Sequence, residues 1–255
     1  MNHEWKNAKA VKNNQRTYST RSLHGQVVHE LGKRIVRGDI GEGAVLPNET
    51  ALGASFDVSR TALREGIKVL TAKGLLSSRT RTGTRVRPRN EWNMLDPDIL
   101  AWSLNSREPE GFIQDVVEFR RAIEPLAASL AATRASASEI KYIEQAYADM
   151  VAAGEDVQAG VEPSLRFHQG ILYASGNELL APLGALIEAA LTVSLRLATP
   201  SLKLESFPVH KAVLDAIVER NPVQANETMC QLLDHTIAYN AAVVDEMREG
   251  KPTQE

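Results

Sequence analysis

The chain has 255 residues, 43% of them hydrophobic, which is enough for about two packed domains at the usual ~150 residues each. Its 5% of aromatics argues against a base-stacking platform for single strands, and its one cysteine, Cys230, excludes an intramolecular disulfide and suits a reducing cytoplasm. No apolar run approaches the roughly 20 residues of a membrane span, and the net charge of −3 hides two opposite halves: residues 1–90 carry 17 Lys/Arg against 7 Asp/Glu, whereas residues 91–255 carry 12 against 25. A basic half joined to an acidic one predicts that the first meets a polyanion and the second does not.

Residues 1–20 are polar and basic, without a period or the apolar core of a signal peptide, and read as a flexible tail on a cytoplasmic protein. From Ser22 to Arg37, Leu23, Val27, Val28, Leu31 and Ile35 recur at helical spacing, and Gly38 and Gly41 end the run. A short helix is predicted over Glu49–Phe56, a turn at Asp57-Val58, and a third helix over Arg60–Ala72, capped by Ser59 and ended by Gly74. Leu75–Ser78 and Thr84–Arg87 then read as two short strands, with Arg79, Arg81 and Gly83 in the hairpin, and Pro88 closes the domain.

Helix, turn, helix and basic wing in this order predict a winged helix-turn-helix over 21–88, which places its third helix in the DNA major groove. Arg60 and Arg64, four apart, point the same way, and an arginine can hold guanine O6 and N7 with a two-pronged contact. Ser59, Arg60 and Thr61 stand at the helix N-terminus, where backbone N–H groups and hydroxyls favour phosphate. Leu63, Ile67 and Leu70 face the core. The wing residues Arg79, Arg81 and Gly83 follow phosphate or enter the minor groove.

Residues 89–104 read as a linker and connecting helix, residues 105–247 as a helical domain, and 248–255 as a second flexible tail. Helices are predicted over 109–134, 137–153, 162–175, 178–198, 206–220 and 223–247, with breaks at Gly154, Gly160, Gly176-Asn177, Pro200 and Asn221-Pro222. Pro125 is expected to kink its helix, and Pro182 fits a first turn only if that helix starts later. The fold class is therefore mainly α: a winged helix-turn-helix followed by an all-α bundle.

Leu46-Pro47, Glu49, Leu52, Val58-Ser59-Arg60-Thr61, Arg64-Glu65, Leu70, Gly74-Leu75 and Gly83-Thr84 resemble the GntR-type winged-helix regulators. The resemblance implies a homodimer on a palindromic double-stranded operator, with Arg60 and Arg64 on bases or phosphates and Ser59, Thr61 and the wing in support. Asn48 and Thr50 depart from the pattern, standing where many relatives carry Ser/Ala and a charged residue. Glu118–Pro125, Leu130-Ala131-Ala132, Phe167-His168, Ser175-Gly176-Asn177 and His210–Val213 resemble the FadR-subfamily effector domain called FCD, over about 100–240. The segment Trp92–Trp102 resembles galactonate-operon repressors and related sugar-acid regulators.

In the helical half, Arg120 lies mid-helix beside Glu118 and Glu124, among otherwise apolar neighbours, and needs an anion: a carboxylate effector that matches its fork, or a structural Arg–Glu pair within the bundle. Many FCD relatives carry a metal on an Asp and three His. Here His168 and His210 match two of the His, Ser164 stands at the Asp and Leu232 at the third His, with His235 three residues on. Two imidazoles make an incomplete zinc site, so no cofactor is certain and a divalent metal such as zinc stays one reading of His168 and His210. The others are hydrogen bonds to an effector's hydroxyls or carboxylate, and histidines bonded within the core. Asn177 is either an effector contact or a helix cap.

A ligand-responsive regulator, a repressor of sugar-acid genes released by a carboxylate such as galactonate, is the function these readings favour. The alternatives are a constitutive DNA-binding protein whose helical domain only dimerises, and a metal hydrolase or lyase on His168 and His210 with Glu118 as base. No phosphate loop or nucleophile elbow supports an enzyme.

Overall fold

A computed structural model describes residues 18–19, 22–79, 83–106, 110–197 and 200–248, and at 79, 110, 192–197, 200–202 and 237–248 the backbone course only. The chain divides into two compact units, 1–109 and 110–255. Among the described residues no helix is long and apolar enough to cross a membrane.

The first unit holds α1 (Leu23–Val36), α2 (Glu49–Ser55), α3 (Arg60–Ala72), the hairpin β1 (Leu76–Arg79) and β2 (Gly83–Val86), and α4 (Pro97–Leu104). Each of the first three helices starts on a side-chain cap: Ser22 accepts from Gly25 N, Asn48 from Ala51 N, and Ser59 from Ala62 N. Asn48, a departure from the family pattern, thus supplies the capping oxygen that a serine would. The strands run antiparallel with Leu76 opposite Val86 and Arg79 opposite Gly83, which turns with φ +77°. Val45 adds a bridge to Arg85, a third edge that no alternation in the sequence announces. Thr80, Arg81 and Thr82, the tip of the expected wing, lie outside the described residues.

The core of this unit combines Val27, Val28 and Leu31 of α1 with Leu63, Ile67 and Leu70 of α3 and Leu75, Leu76 and Val86 of the wing. Gly66 lets the two helices meet, since a Cβ there would stand 2.9 Å from Val27 Cγ1. The stretch expected to be a linker belongs to the same core through Trp92, Ile99 and Trp102. The Trp102 ring lies against Gly32, and its indole N–H donates to His29 Nδ1 at 3.3 Å.

A buried ionic node ties this segment down. Lys73, the C-cap of α3, is 4% exposed and places its ammonium 2.8 Å from Asp96 and 2.9 Å from Asp98, with the Tyr18 ring 5.6 Å away. Asp96 is at the same time the N-cap of α4, accepting from Asp98 N and Ile99 N. The backbone joins in: Asn93 N donates to Lys73 O, and Gly74, at φ +81°, approaches the Glu91 carbonyl so closely that a Cβ would stand 2.6 Å from it.

The second unit is helical: α5 (Glu110–Arg134), α6 (Ala137–Ala152), α7 (Val157–Ala174), α8 (Gly184–Leu197), α9 (Pro200–Val218) and α10 (Pro222–Arg248). Ala127, Ala128, Ala131 and Ala132 are fully buried on α5, small enough for the helices around it to close in on Phe167, Ile171, Leu214, Ile217 and Met229. Three expectations change here. The helices expected from 162 and 206 begin earlier, as α7 at Val157 and α9 at Pro200, and hold Pro163 and Pro208 inside them. Gly160 is inside α7 rather than a break, and its missing Cβ makes room for Lys203, whose Cε would be 2.4 Å away. The helix expected from 178 starts only at Gly184, after a 3-10 turn at Ala181–Leu183 that takes Pro182 in its first turn.

Lys73→Ala should take the ammonium away from the buried Asp98 and the half-buried Asp96 and destabilise the protein by about 3–5 kcal/mol; urea unfolding of the full chain, followed by circular dichroism, measures this, and a loss within experimental scatter would show the node to be inconsequential.

Candidate DNA-reading surface and effector site

On α3 the apolar and basic residues divide as the spacing predicted: Leu63, Ile67 and Leu70 are buried, while Ser59, Arg60, Thr61, Arg64 and Lys68 are exposed. The arginines are not loose. Arg60 Nη2 donates to Thr50 Oγ1 at 3.2 Å, and Arg64 Nε donates to Glu49 Oε2 at 2.9 Å. Both acceptors stand in the first turn of α2, whose angle to α3 is set by the tight turn at Asp57 (φ 52°) and by the Val58 carbonyl, 3.3 Å from where a Cβ of Gly53 would stand. Between α3 and the wing opens a cleft of about 480 Å³, lined by Arg64, Ile67, Lys68 and Thr71 on the helix and by Ser78 and Thr84 on the strands. Hydroxyls and ammonium on an apolar floor suit a phosphodiester backbone. Arg79 closes the β ladder opposite Gly83; Arg81 lies outside the described residues.

In the second unit the structure brings together Arg120, His168 and His210 from three helices, and adds Glu124. All four are buried, between 1% and 5% exposed. Arg120 Nε donates to Glu124 Oε1 at 2.5 Å, one helical turn along α5, and His168 Nδ1 donates to Glu124 Oε2 at 2.6 Å from α7. The His168 and His210 rings lie edge to face with centroids 5.6 Å apart, and Phe167 packs against both. Burial alone would raise the Glu124 carboxyl, but Arg120 and His168 beside it hold it down at about 2, so the carboxylate is ionised. Burial pushes His210 down to about 3, with the neighbouring His168 and Arg120 adding to the shift, so its ring is neutral.

The tautomer of His210 follows. Its Nδ1 lies 2.7 Å from the Ser206 carbonyl, which can only accept, so Nδ1 carries the proton and Nε2 is a bare lone pair. That Nε2 is buried and has no hydrogen-bond partner among the described residues. Arg120 spends only Nε on Glu124; among the described residues no side chain or carbonyl takes its Nη nitrogens. The cluster therefore offers two donors on a cation and one acceptor, all unclaimed.

A metal of the kind FCD relatives carry does not fit this set. Ser164 and the fully aliphatic Leu232 (1% exposed) stand at two ligand positions, and the only carboxylate in the cluster has both oxygens committed. Among the described residues no group of three His, Cys, Asp or Glu could hold an ion. His168 and His210 by themselves supply two of the ligands a zinc site needs. Asn177 is also set apart: its Oδ1 accepts from Leu179 N at 3.0 Å within the turn after α7, and it makes no recorded contact with Arg120, His168 or His210. Arg121 pairs with Asp234 of α10 at 2.6 Å, on a half-exposed surface. Cys230 is half-buried rather than part of the core. Glu124 was legible as a neighbour of Arg120 four residues on, but its second contact, with His168 44 residues away, left no signal in the sequence.

Comparison with known proteins now bears on these two sites. Residues 23–86 match the model of the bacterial regulatory proteins of the gntR family, and residues 115–235 match the FCD domain. The chain is 34% identical to the galactonate operon transcriptional repressor of Escherichia coli over 195 residues, covering 75% of this chain and 85% of that one. The chain belongs to the GntR family of transcription regulators. It is also 32% identical to the Escherichia coli HTH-type transcriptional regulator YieP, over 86% of this chain and 95% of that one. Among solved structures it is similar to a GntR protein of Streptococcus agalactiae, with TM-score 0.50, 25% identity and coverage of 86% and 99%. This regulator therefore binds DNA through its first unit and carries an FCD effector domain as its second; its relatives are regulators, not enzymes.

The pKa shifts set a pH window. Between about 6.5 and 3 the unfolded chain protonates His210 and the folded protein does not; between 4.5 and about 2 the same holds for Glu124. In both ranges the unfolded state binds more protons, so stability falls as pH drops, by up to about 1.4 kcal/mol per pH unit for each group. Urea midpoints taken from pH 7 to 4 should fall for the wild type and fall less for His210→Gln; parallel curves would mean that His210 is not held neutral.

Proposed function

We propose that this regulator is a repressor of sugar-acid catabolism genes which leaves its palindromic operator, bound as a homodimer, when a small hydroxycarboxylate such as galactonate enters the FCD domain. The observation that carries the reading is the unclaimed pair in the buried cluster: the Nη nitrogens of Arg120 and the bare Nε2 of His210. A carboxylate matches the guanidinium fork, and a hydroxyl is the donor that a neutral acceptor lone pair requires. A plain carboxylate would leave Nε2 unsatisfied, which costs a buried polar group about 1–3 kcal/mol. The 34% identity to a galactonate operon repressor supports the same class of acid.

Glu124 supports the reading from the other side. By neutralising one edge of Arg120 it makes the buried cation tolerable before the effector arrives, and by holding His168 it fixes the wall beside His210. Release then needs the effector to bind the DNA-incompetent form more tightly than the DNA-bound one. On the DNA side, Arg60, Arg64, Ser59 and Thr61 read or position the site, and the wing residues Arg79, Arg81 and Gly83 support them; cytoplasmic placement goes with that role. The second reading, a constitutive DNA-binding protein with a helical domain that only dimerises, is favoured by one fact: Arg120 already has a carboxylate partner in Glu124.

Fluorescence anisotropy of the full chain on its own upstream DNA, at one salt concentration with and without D-galactonate, separates the two. The expected result is tight binding that galactonate weakens, with Arg120→Gln binding DNA as tightly but no longer responding. Release by a deoxy or keto analogue as effective as the hydroxy acid would remove His210 from the reading, and wild-type binding that ignores every hydroxy and keto acid would favour the dimerising domain.

A further inference from the structure

The two arginines of the reading helix are held from outside it, and the holders differ in kind. Arg64 meets a carboxylate, Glu49, at 2.9 Å; Arg60 meets a hydroxyl, Thr50, at 3.2 Å. Glu49 is the first residue of α2 and Thr50 the second, so one turn of one helix addresses both. Glu49 lines the same cleft as Arg64, Lys68, Ser78 and Thr84, on the surface offered to phosphates.

A carboxylate there repels the phosphodiester backbone and lowers affinity for every DNA alike. As a clamp between α2 and α3 it adds little, because both side chains are open to water, 64% and 42% exposed, and such pairs contribute little stability. What the contact does achieve is geometric. It occupies Nε and leaves Nη1 and Nη2, a parallel pair of donors, with no partner among the described residues. That pair matches guanine O6 and N7. It also removes rotamer freedom from a long side chain before the base is met, a cost that binding would otherwise carry.

We infer that Glu49 is a positioning residue that determines operator specificity: it aims the Arg64 fork at a base and accepts weaker general affinity in exchange. The inference rests on the reading of Arg64 as a base contact, and the two can fail separately.

The test measures full-length protein by anisotropy on its own upstream DNA and on a scrambled duplex of equal length, at one salt concentration. Arg64→Ala should lower the ratio of the two affinities about 5- to 100-fold. Glu49→Ala should tighten the scrambled duplex and weaken the upstream DNA, so that the ratio falls by about 5-fold or more. Glu49→Gln should keep most of the ratio, since its carbonyl oxygen still accepts from Nε, while the scrambled duplex tightens as in the alanine variant. A Glu49→Ala protein that tightens both DNAs by one common factor would reduce Glu49 to a repelling charge and overturn the proposal. An unchanged ratio in Arg64→Ala would overturn the base contact itself; a ratio lost in Arg64→Ala and kept in Glu49→Ala would overturn the positioning role alone.

Discussion

A charge withdrawn from water must find its counterpart inside the fold, and both units of this protein are arranged around that requirement. In the second unit the counterpart is Glu124. Its two oxygens receive Arg120 along one helix and His168 from another, and the ionised carboxylate is what makes three polar side chains tolerable in a bundle otherwise built of alanine, leucine and isoleucine. Because Glu124 satisfies one edge of Arg120 and not the whole guanidinium, the cluster is stable and still open to an anion.

The first unit meets the same requirement at Lys73. One ammonium takes two carboxylates, and one of those carboxylates caps α4. The end of the reading helix and the start of the last helix of that unit therefore share a single buried node. Gly74 and Gly32 allow the backbone and the Trp102 ring to approach, so the node sits within apolar packing rather than standing alone. The segment 89–104 behaves as a part of the winged-helix core for this reason: Trp92, Ile99 and Trp102 have nowhere else to bury their surface in that unit.

Periodicity exposed the elements that are amphipathic over several turns. Leu23 to Ile35 and Leu63 to Leu70 repeat at helical spacing, and those helices lie within a residue or two of their expected ends. Punctuation was less dependable where packing overrode it. Gly160 reads as a stop, yet it is a space for Lys203 inside α7; the helices expected from 162 and 206 start instead at Val157 and Pro200. Val45 was invisible as a strand because a single bridge leaves no alternation to read. At the sites, Arg60, Arg64, Arg120, His168 and His210 were legible by residue type and family pattern. Their partners were legible only in part: Glu124 lies four residues from Arg120 but 44 from His168, and Thr50 and Glu49 lie 10 and 15 residues from the arginines they hold.

By itself the sequence determined the class of the protein: a basic helix-turn-helix with its wing, an acidic helical domain, and the short list of side chains that can meet DNA or an anion. Those are properties of composition, period and residue type, which local physical chemistry sets without reference to distant parts of the chain. Only the tertiary structure decided what those side chains are free to do. It gave Arg120 a carboxylate and left its Nη groups open, fixed His210 as an acceptor by placing Ser206 O on its other nitrogen, and set Arg64 Nε against Glu49. Hydrogen-bond donors and acceptors act over about 3 Å, and which ones come that close is set by helix packing between residues far apart in the chain.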